Sequence, residues 1–339
     1  YEESGGRGIL PKLPAGIIDT CSKCKGSGLQ GTEEVVPPDF DKYPRLAIIG
    51  GGMGGVALAV ACLHRGIPFT LYERDVSFNS RSQGYGLTLQ QASKAIEGLG
   101  IFSLEKGTVS TRHVVHNPEG KIIGEWGLRR WKREFVEQTS RRRNIHIARQ
   151  TLRQLLLQNL GNGPSLKWGH TLVDFTNNKN GSVDLTFQVG DKKENIQADL
   201  VVGADGIRSK VRELAIEEEV APLKYLGCIV ILGICPLKSF ESTSPLLDSA
   251  TVFQTVNGHE RIYMMPYDAE TIMWQFSFPL EETEAKELSA KGQKAMKEEA
   301  LKRLAWHAPV PQIIEATLES NITGYPVYDR ELFNPRIME

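Results

Sequence analysis

The sequence predicts an α/β protein of two domains, the first built on a parallel sheet and the second on a mostly antiparallel one. Residues 45–49 form a short apolar run, Gly50-Gly51-Gly52-Met53-Gly54-Gly55 follows it, and Phe69-Thr70-Leu71-Tyr72 is a second apolar run. Together they make a strand–turn–helix–strand unit, the building block of a buried parallel sheet. From about Val220 the texture changes to runs at 229–234, 251–255, 261–265 and 271–278, which read as antiparallel strands. The chain has 339 residues, 40% of them hydrophobic and 24% charged, which is enough for two packed cores of ordinary globular composition.

Taken in order, residues 1–43 are rich in Gly, Pro, Lys and Glu without lasting periodicity, and read as a flexible tail. The unit 45–73 comes next, its helix expected over 56–63 and stopped by Gly66 and Pro68. Residues 46–63 carry no charge and approach the length of a membrane span, but five glycines within them break that helix, so no stable membrane insertion is expected. A helix is expected over 91–99 with Gly100 as its terminator, and a hairpin over 113–126 around Asn117-Pro118-Glu119-Gly120. Residues 151–160 place Leu152, Leu155 and Leu156 on one helical face. Residues 166–175 and 183–189 alternate as antiparallel strands, and Leu200-Val201-Val202 is another buried strand. Residues 282–306 read as one charged amphipathic helix.

The glycine turn satisfies G-x-G-x-x-G at Gly50, Gly52 and Gly55. One glycine permits the tight turn, one lets the backbone approach a pyrophosphate, and one lets helix and strand pack closely. The helix N-terminus then offers free N–H groups and partial positive charge to phosphates. The second strand ends in Glu73, followed by Arg74, close to the ~20-residue offset at which a carboxylate accepts ribose hydroxyls. Such an acid disfavours a 2′-phosphate. This unit alone identifies a dinucleotide site without separating FAD from NAD.

The choice falls on residues 198–212, Ala-Asp-Leu-Val-Val-Gly-Ala-Asp-Gly-Ile-Arg-Ser-Lys-Val-Arg. This segment closely resembles the second motif, D-x-V-V-G-A-D-G-x-x-S-x-V-R, of single-component FAD-dependent aromatic hydroxylases, the class A flavoprotein monooxygenases. The resemblance implies a Rossmann-like FAD-binding domain followed by a domain with an antiparallel substrate-binding sheet. Gly203 and Gly206 then allow a sharp strand-to-helix turn, Asp205 presents its carboxylate near the cofactor, and Ser209 and Arg212 cap and pin the helix that follows. Arg149-Gln150-Thr151-Leu152-Arg153 is similar to the family's R-x-x-L helix start, whose first Arg contacts the flavin. Residues 81–89, Arg-Ser-Gln-Gly-Tyr-Gly-Leu-Thr-Leu, look like the loop and strand passing beside the isoalloxazine, with Arg81 serving flavin or nicotinamide. The nearest members implied are salicylate-hydroxylase-like or tetracycline-inactivating.

On this resemblance, residues 44–218 are the first part of the FAD domain, 219–325 the substrate sheet, and 326–339 the start of a return to the FAD domain. The family's third motif, G-D-A-x-H, does not occur in these residues. The expectation is that the chain stops short of a complete cofactor site and binds FAD weakly or not at all.

NAD(P)H would serve as reductant and O₂ as the source of the inserted oxygen, with a small aromatic or polycyclic substrate. The cofactor performs the hard chemistry, so no nucleophile, catalytic dyad or metal is required of the protein, and no catalytic residue is assigned. Along 271–278, Trp274, Phe276 and Phe278 share one strand face and Met273, Gln275 and Ser277 the other. The aromatics read first as core and second as a pocket lining, and Met265 and Gln275 are the substrate-contact candidates. A flavin reductase or halogenase on the same scaffold, or a non-catalytic FAD-fold protein, are the alternatives.

Lys+Arg 40 against Asp+Glu 41 leaves a net charge of −1, so no global field gathers nucleic acid or anionic lipid. Arg129, Arg130, Lys132, Arg133 and 141–143 around Trp131 and Phe135 read as a solvated face interrupted by Glu134 and Glu137. Cys21 and Cys24 match half of a C-x-x-C-x-G-x-G zinc repeat, a redox dithiol or an inert tail, whereas Cys62, Cys228 and Cys235 sit in apolar runs. Five cysteines over this length are too few for a disulfide scaffold, which makes a reducing, cytoplasmic setting the expectation, with organelle import left open.

Overall fold

A computed structural model describes residues 21–24, 28–32, 36–80, 85–90, 92–104, 106–127, 145–161, 165–216, 220–239 and 244–331. Residues Tyr1–Val35 and Val36–Glu339 are separate compact units. In the first, residues 22–24 form a turn and Gly28 has a φ of +76°. Residues 36–43 belong to the second unit rather than to a tail. Asp39 N–H donates to the Gly66 carbonyl at 2.8 Å, and its carboxylate accepts the amides of Asp41 and Lys42.

The second unit opens with β1 (Leu46–Ile49), α1 (Met53–Leu63) and β2 (Phe69–Glu73). Then come β3 (Gly86–Leu89), α2 (Ala92–Gly98), β4 (Thr108–Val109), the hairpin β5 (Arg112–His116) and β6 (Ile122–Trp126), β7 (Ile145–Ala148) and α3 (Arg149–Leu160). β8 (Leu166–Trp168), β9 (His170–Asn177), β10 (Val183–Val189), β11 (Lys192–Ala198), β12 (Leu200–Gly203) and α4 (Lys210–Ala215) follow. The last part holds β13 (Leu223–Pro236), β14 (Thr251–Val256), β15 (Arg261–Pro266), β16 (Thr271–Pro279), α5 (Glu282–Ala290), α6 (Gln293–Arg303), α7 (Val310–Ala316) and β17 (Ile322–Arg330).

The expected parallel sheet is present, with strand order β12-β1-β2-β8. Both faces of its central strand β1 are covered, which is why Leu46–Ile49 is apolar throughout rather than alternating. Ile48 and Leu71 pack with Val56, Val60, Leu152 and Leu156 of α1 and α3. Ala47, Ile49 and Tyr72 pack on Leu172, Leu185 and Phe187 of the antiparallel sheet β11-β10-β9. The run 166–175, expected as one antiparallel strand, is broken at Gly169, whose φ is +70°. Its first part joins β2 in the parallel sheet and only its second part pairs with β10.

The second sheet has seven strands in the order β17-β13-β16-β15-β14-β5-β6, antiparallel except for the β14–β5 pair. The hairpin β5–β6 forms as expected, but it extends this large sheet although it lies within residues 44–218. β17 likewise stays in the sheet through Arg330, past the expected boundary at 325. The single helix expected over 282–306 is two, interrupted where Gly292 takes a φ of +86°. Together with α7 these helices cover one face of the sheet and bury Trp274, Phe276 and Phe278. Among the described residues no helix is long and apolar enough to cross a membrane.

Candidate functional site

At the carboxyl ends of β1 and β12 the chain forms a cleft of about 470 Å³, the position where open parallel sheets bind ligands. Ile49, Gly50, Gly52, Met53, Gly54, Tyr72, Glu73, Arg74, Arg149, Asp205 and Gly206 all line it. A second cavity of about 460 Å³ lies at the amino ends of β1 and β2, behind walls such as Phe40, Leu46, Leu63 and Phe69. The glycine turn, the start of α1 and Glu73 line the first cavity and not the second.

The three motif glycines are built differently. Gly50 has a φ of +107°, and a β-carbon there would lie 2.5 Å from the Ala204 carbonyl oxygen. A β-carbon on Gly55 would overlap the Gly50 carbonyl oxygen. At Gly52 a β-carbon would meet no protein atom within 4 Å. Gly52 is also the N-cap of α1, with no side-chain capping bond and no acidic residue in the first turn. The amides at the start of α1 therefore face the cleft without a side-chain cap, beside a surface left bare by Gly52. A helix start without a side-chain cap and a missing side chain at Gly52 fit a diphosphate.

Glu73 is 7% exposed. Its Oε2 accepts the Gly51 amide at 2.7 Å and its Oε1 the Asp75 amide at 3.0 Å. The turn and the acid at the end of the second strand are thus joined directly, as the motif spacing implies. Arg149 is the first residue of α3, where a cation opposes the helix dipole. Its guanidinium donates to the Tyr85 hydroxyl and its amide donates to the Tyr85 carbonyl at 3.1 Å.

Asp205 lines the cleft, yet its carboxylate is turned to the start of α4. It accepts Ser209 Oγ at 2.5 Å, the Lys210 amide at 2.7 Å and the Val211 amide at 3.2 Å. Ser209 caps the helix by accepting the Arg212 amide at 3.0 Å, as expected. Gly203 is required by packing, since a β-carbon would stand 2.9 Å from the Val211 side chain, and Gly206 by a φ of +86°. Arg81 lies outside the described residues, as do the basic segments 129–133 and 141–143. Arg208, Lys210 and His170, to which the sequence pattern assigns no cofactor contact, also line the cleft. The first two lie inside the segment 198–212, where a concentration of cations was legible. With Arg74 and Arg149 they place four basic side chains around it.

The β16 strand settles its own two faces. Trp274, Phe276 and Phe278 are core against the helices, with Trp274 Nε1–H donating to Thr317 Oγ1 at 2.9 Å. The opposite face carries Met273, which packs with Met265, Val252, Tyr85 and Tyr263. The Gly86 amide points at Met273 Sδ at 3.0 Å, and a β-carbon on Gly86 would overlap the Met265 methyl. The substrate candidate Met265 is therefore in direct contact with β3, while Gln275 is half-buried on the same face. Cys62 and Cys235 are core and Cys228 half-buried; Cys21 is exposed, its thiol pKa lowered by the Cys24 and Lys23 amides.

A parallel sheet, a glycine cradle at its carboxyl edge and an acid one strand away define a dinucleotide-binding protein, and the family match decides that the dinucleotide is FAD. Residues 44–321 match the FAD binding domain family, and the chain belongs to it. It is 31% identical over 196 residues to the chloroplastic zeaxanthin epoxidase of Oryza sativa subsp. japonica, covering 55% of this chain and 28% of that protein. It is 28% identical to the aurachin C monooxygenase/isomerase of Stigmatella aurantiaca, over 84% of this chain and 68% of the relative. Among solved structures, HpxO of Klebsiella pneumoniae complexed with FAD and uric acid superposes with a TM-score of 0.69 at 20% identity, covering 85% of this chain and 69% of that one. The chain thus spans less than a third of the first of these relatives and just over two thirds of the other two.

Proposed function

We propose that the chain carries the nucleotide cradle and substrate sheet of an FAD-dependent monooxygenase that uses NAD(P)H and O₂ to hydroxylate a small aromatic or polycyclic substrate. The observation that carries this is the Gly52 surface: a bare, uncapped helix start lining a cleft beside the buried acid Glu73. FAD, when bound, supplies the hydride acceptance and oxygen activation. The chain's own residues bind and orient. Amides at the start of α1 receive the diphosphate, Glu73 accepts the ribose hydroxyls, and Arg74 and Arg149 supply positive charge beside them. The face of the large sheet bearing Tyr263, Met265, Met273 and Gln275 contributes an apolar wall that excludes water from the reacting ring. Named relatives that are monooxygenases support the oxygen-inserting reading over a reductase or halogenase.

Equilibrium dialysis of the 339-residue chain against FAD tests the cofactor assignment. Saturable binding is expected with a dissociation constant weaker than about 1 μM, because the third motif that would hold the ribityl chain is not in these residues. Micromolar or tighter binding would contradict the expectation set by the missing third motif, and no saturable binding up to millimolar FAD by a chain that also carries that motif would overturn the FAD reading. In a chain that also carries a third motif, NAD(P)H oxidation stimulated by an aromatic substrate separates hydroxylation from simple flavin reduction.

A further inference from the structure

A buried cation stands behind the nucleotide cradle without a part in the reading above. Arg153, one turn beyond Arg149 on α3, is 7% exposed. Its Nε–H donates to the Gly51 carbonyl at 2.7 Å, and its Nη2 stands 3.8 Å from Glu73 Oε2. The guanidinium lies over the rings of Phe78 and Trp168, 5.3 and 5.5 Å from their centroids. Since Glu73 Oε2 also takes the Gly51 amide at 2.7 Å, Arg153, Gly51 and Glu73 form a closed ring. The peptides on either side of Gly51 are each held by one member of the ion pair, and these are the peptides that set the cradle.

The direct bond goes to the turn rather than to the acid, because 3.8 Å is too long for a hydrogen bond. A residue that served only to neutralise Glu73 would approach the carboxylate; this one divides itself between carboxylate and backbone. Two aromatic faces and a packed helix leave its planar fork little freedom. We propose that Arg153 is a positioning residue of the ribose site: from behind the cleft wall it fixes Glu73 and the Gly51 backbone in one geometry, so that the acid meets the adenosine hydroxyls and the turn meets the diphosphate together. This rests on the FAD reading.

The test compares wild type, R153K, R153M and E73Q by equilibrium dialysis with two probes, FAD and its analogue built on 2′,3′-dideoxyadenosine. Wild type is expected to prefer FAD by about tenfold, the scale of one charge-assisted hydrogen bond. R153M is expected to lose that preference and R153K to recover part of it, and a fifth protein, R153K combined with E73Q, is expected to show the same preference as E73Q alone. An unchanged preference in both Arg153 variants, whatever their absolute affinity, would make Arg153 a packing residue and overturn the proposal. A second readout needs no cofactor and no R153M: exchange of the Gly51 amide in ligand-free protein should be about tenfold faster in R153K than in wild type. Equal exchange overturns the positioning role. Faster exchange in a chain that also carries the third motif yet binds neither probe supports the positioning geometry while sinking the FAD assignment.

Discussion

A β-carbon at Gly55 would overlap the Gly50 carbonyl oxygen, so the helix can approach the turn only without one. Gly52 has no such neighbour, and its φ of −74° suits any residue. Two residues three apart in one motif are therefore glycine for opposite reasons, one internal and one external. Gly55→Ala is expected to destabilise the protein by about 3 kcal/mol, since backbone rather than a flexible side chain must yield. Gly52→Ala is expected to change stability by less than about 1 kcal/mol while weakening FAD at least about tenfold. Urea unfolding paired with FAD dialysis separates the two. A Gly52 variant with full affinity would remove the diphosphate from that surface.

Among the elements, β7 holds a second buried polar group. His146 is fully buried, with Nδ1 2.9 Å from Thr88 Oγ1 on β3 and Nε2 2.7 Å from Ser110 Oγ after β4. Both neighbours use the imidazole as neutral hydrogen-bond furniture that ties three strands together. Burial, and then the charge of nearby His113, push its pKa down to about 4. The folded value lies below the unfolded value of about 6.5, so the unfolded chain binds the proton first as pH falls. The stability contribution is therefore complete above about pH 6.5 and is lost progressively toward pH 4. Between pH 7 and pH 5 the loss is expected to be about 2 kcal/mol. Urea unfolding at those two values should show this slope in wild type and a flatter one in His146→Gln; identical slopes would contradict it.

Across the whole molecule, the large sheet draws on widely separated parts of the chain. β14 pairs with β15 on one side and with β5 on the other, and Val114 and Phe253 share one core. The sheet is thus not a module that residues 220–331 can build alone. Without the hairpin, β14 becomes an open edge and the core loses Val114. The fragment 220–331 is expected to aggregate or elute as oligomers in size-exclusion chromatography, whereas the chain from 36 to 331 should not. A monomeric fragment with native strand content by circular dichroism would refute this. β3, which belongs to a different sheet, lies against the Met265–Met273 face, the surface proposed to meet substrate.

The local unit of strand, glycine turn, helix and acid was legible in residues 45–73 because each part is determined by neighbours a few positions away. The same holds for the Ser209 cap and for the alternating strands of the large sheet. Tertiary structure alone decided the rest. Which face of β16 meets the helices depends on what covers the sheet, so Trp274 is core and Met273 is not. The Gly169 break and the Gly292 break turn on single φ values that a hydrophobic pattern does not encode. The part played by Arg153 appears only when α3, the glycine turn and the end of β2 come together. Short-range geometry leaves its signature in composition and spacing; a contact between distant segments leaves none, because burial and pairing are properties of the assembled chain.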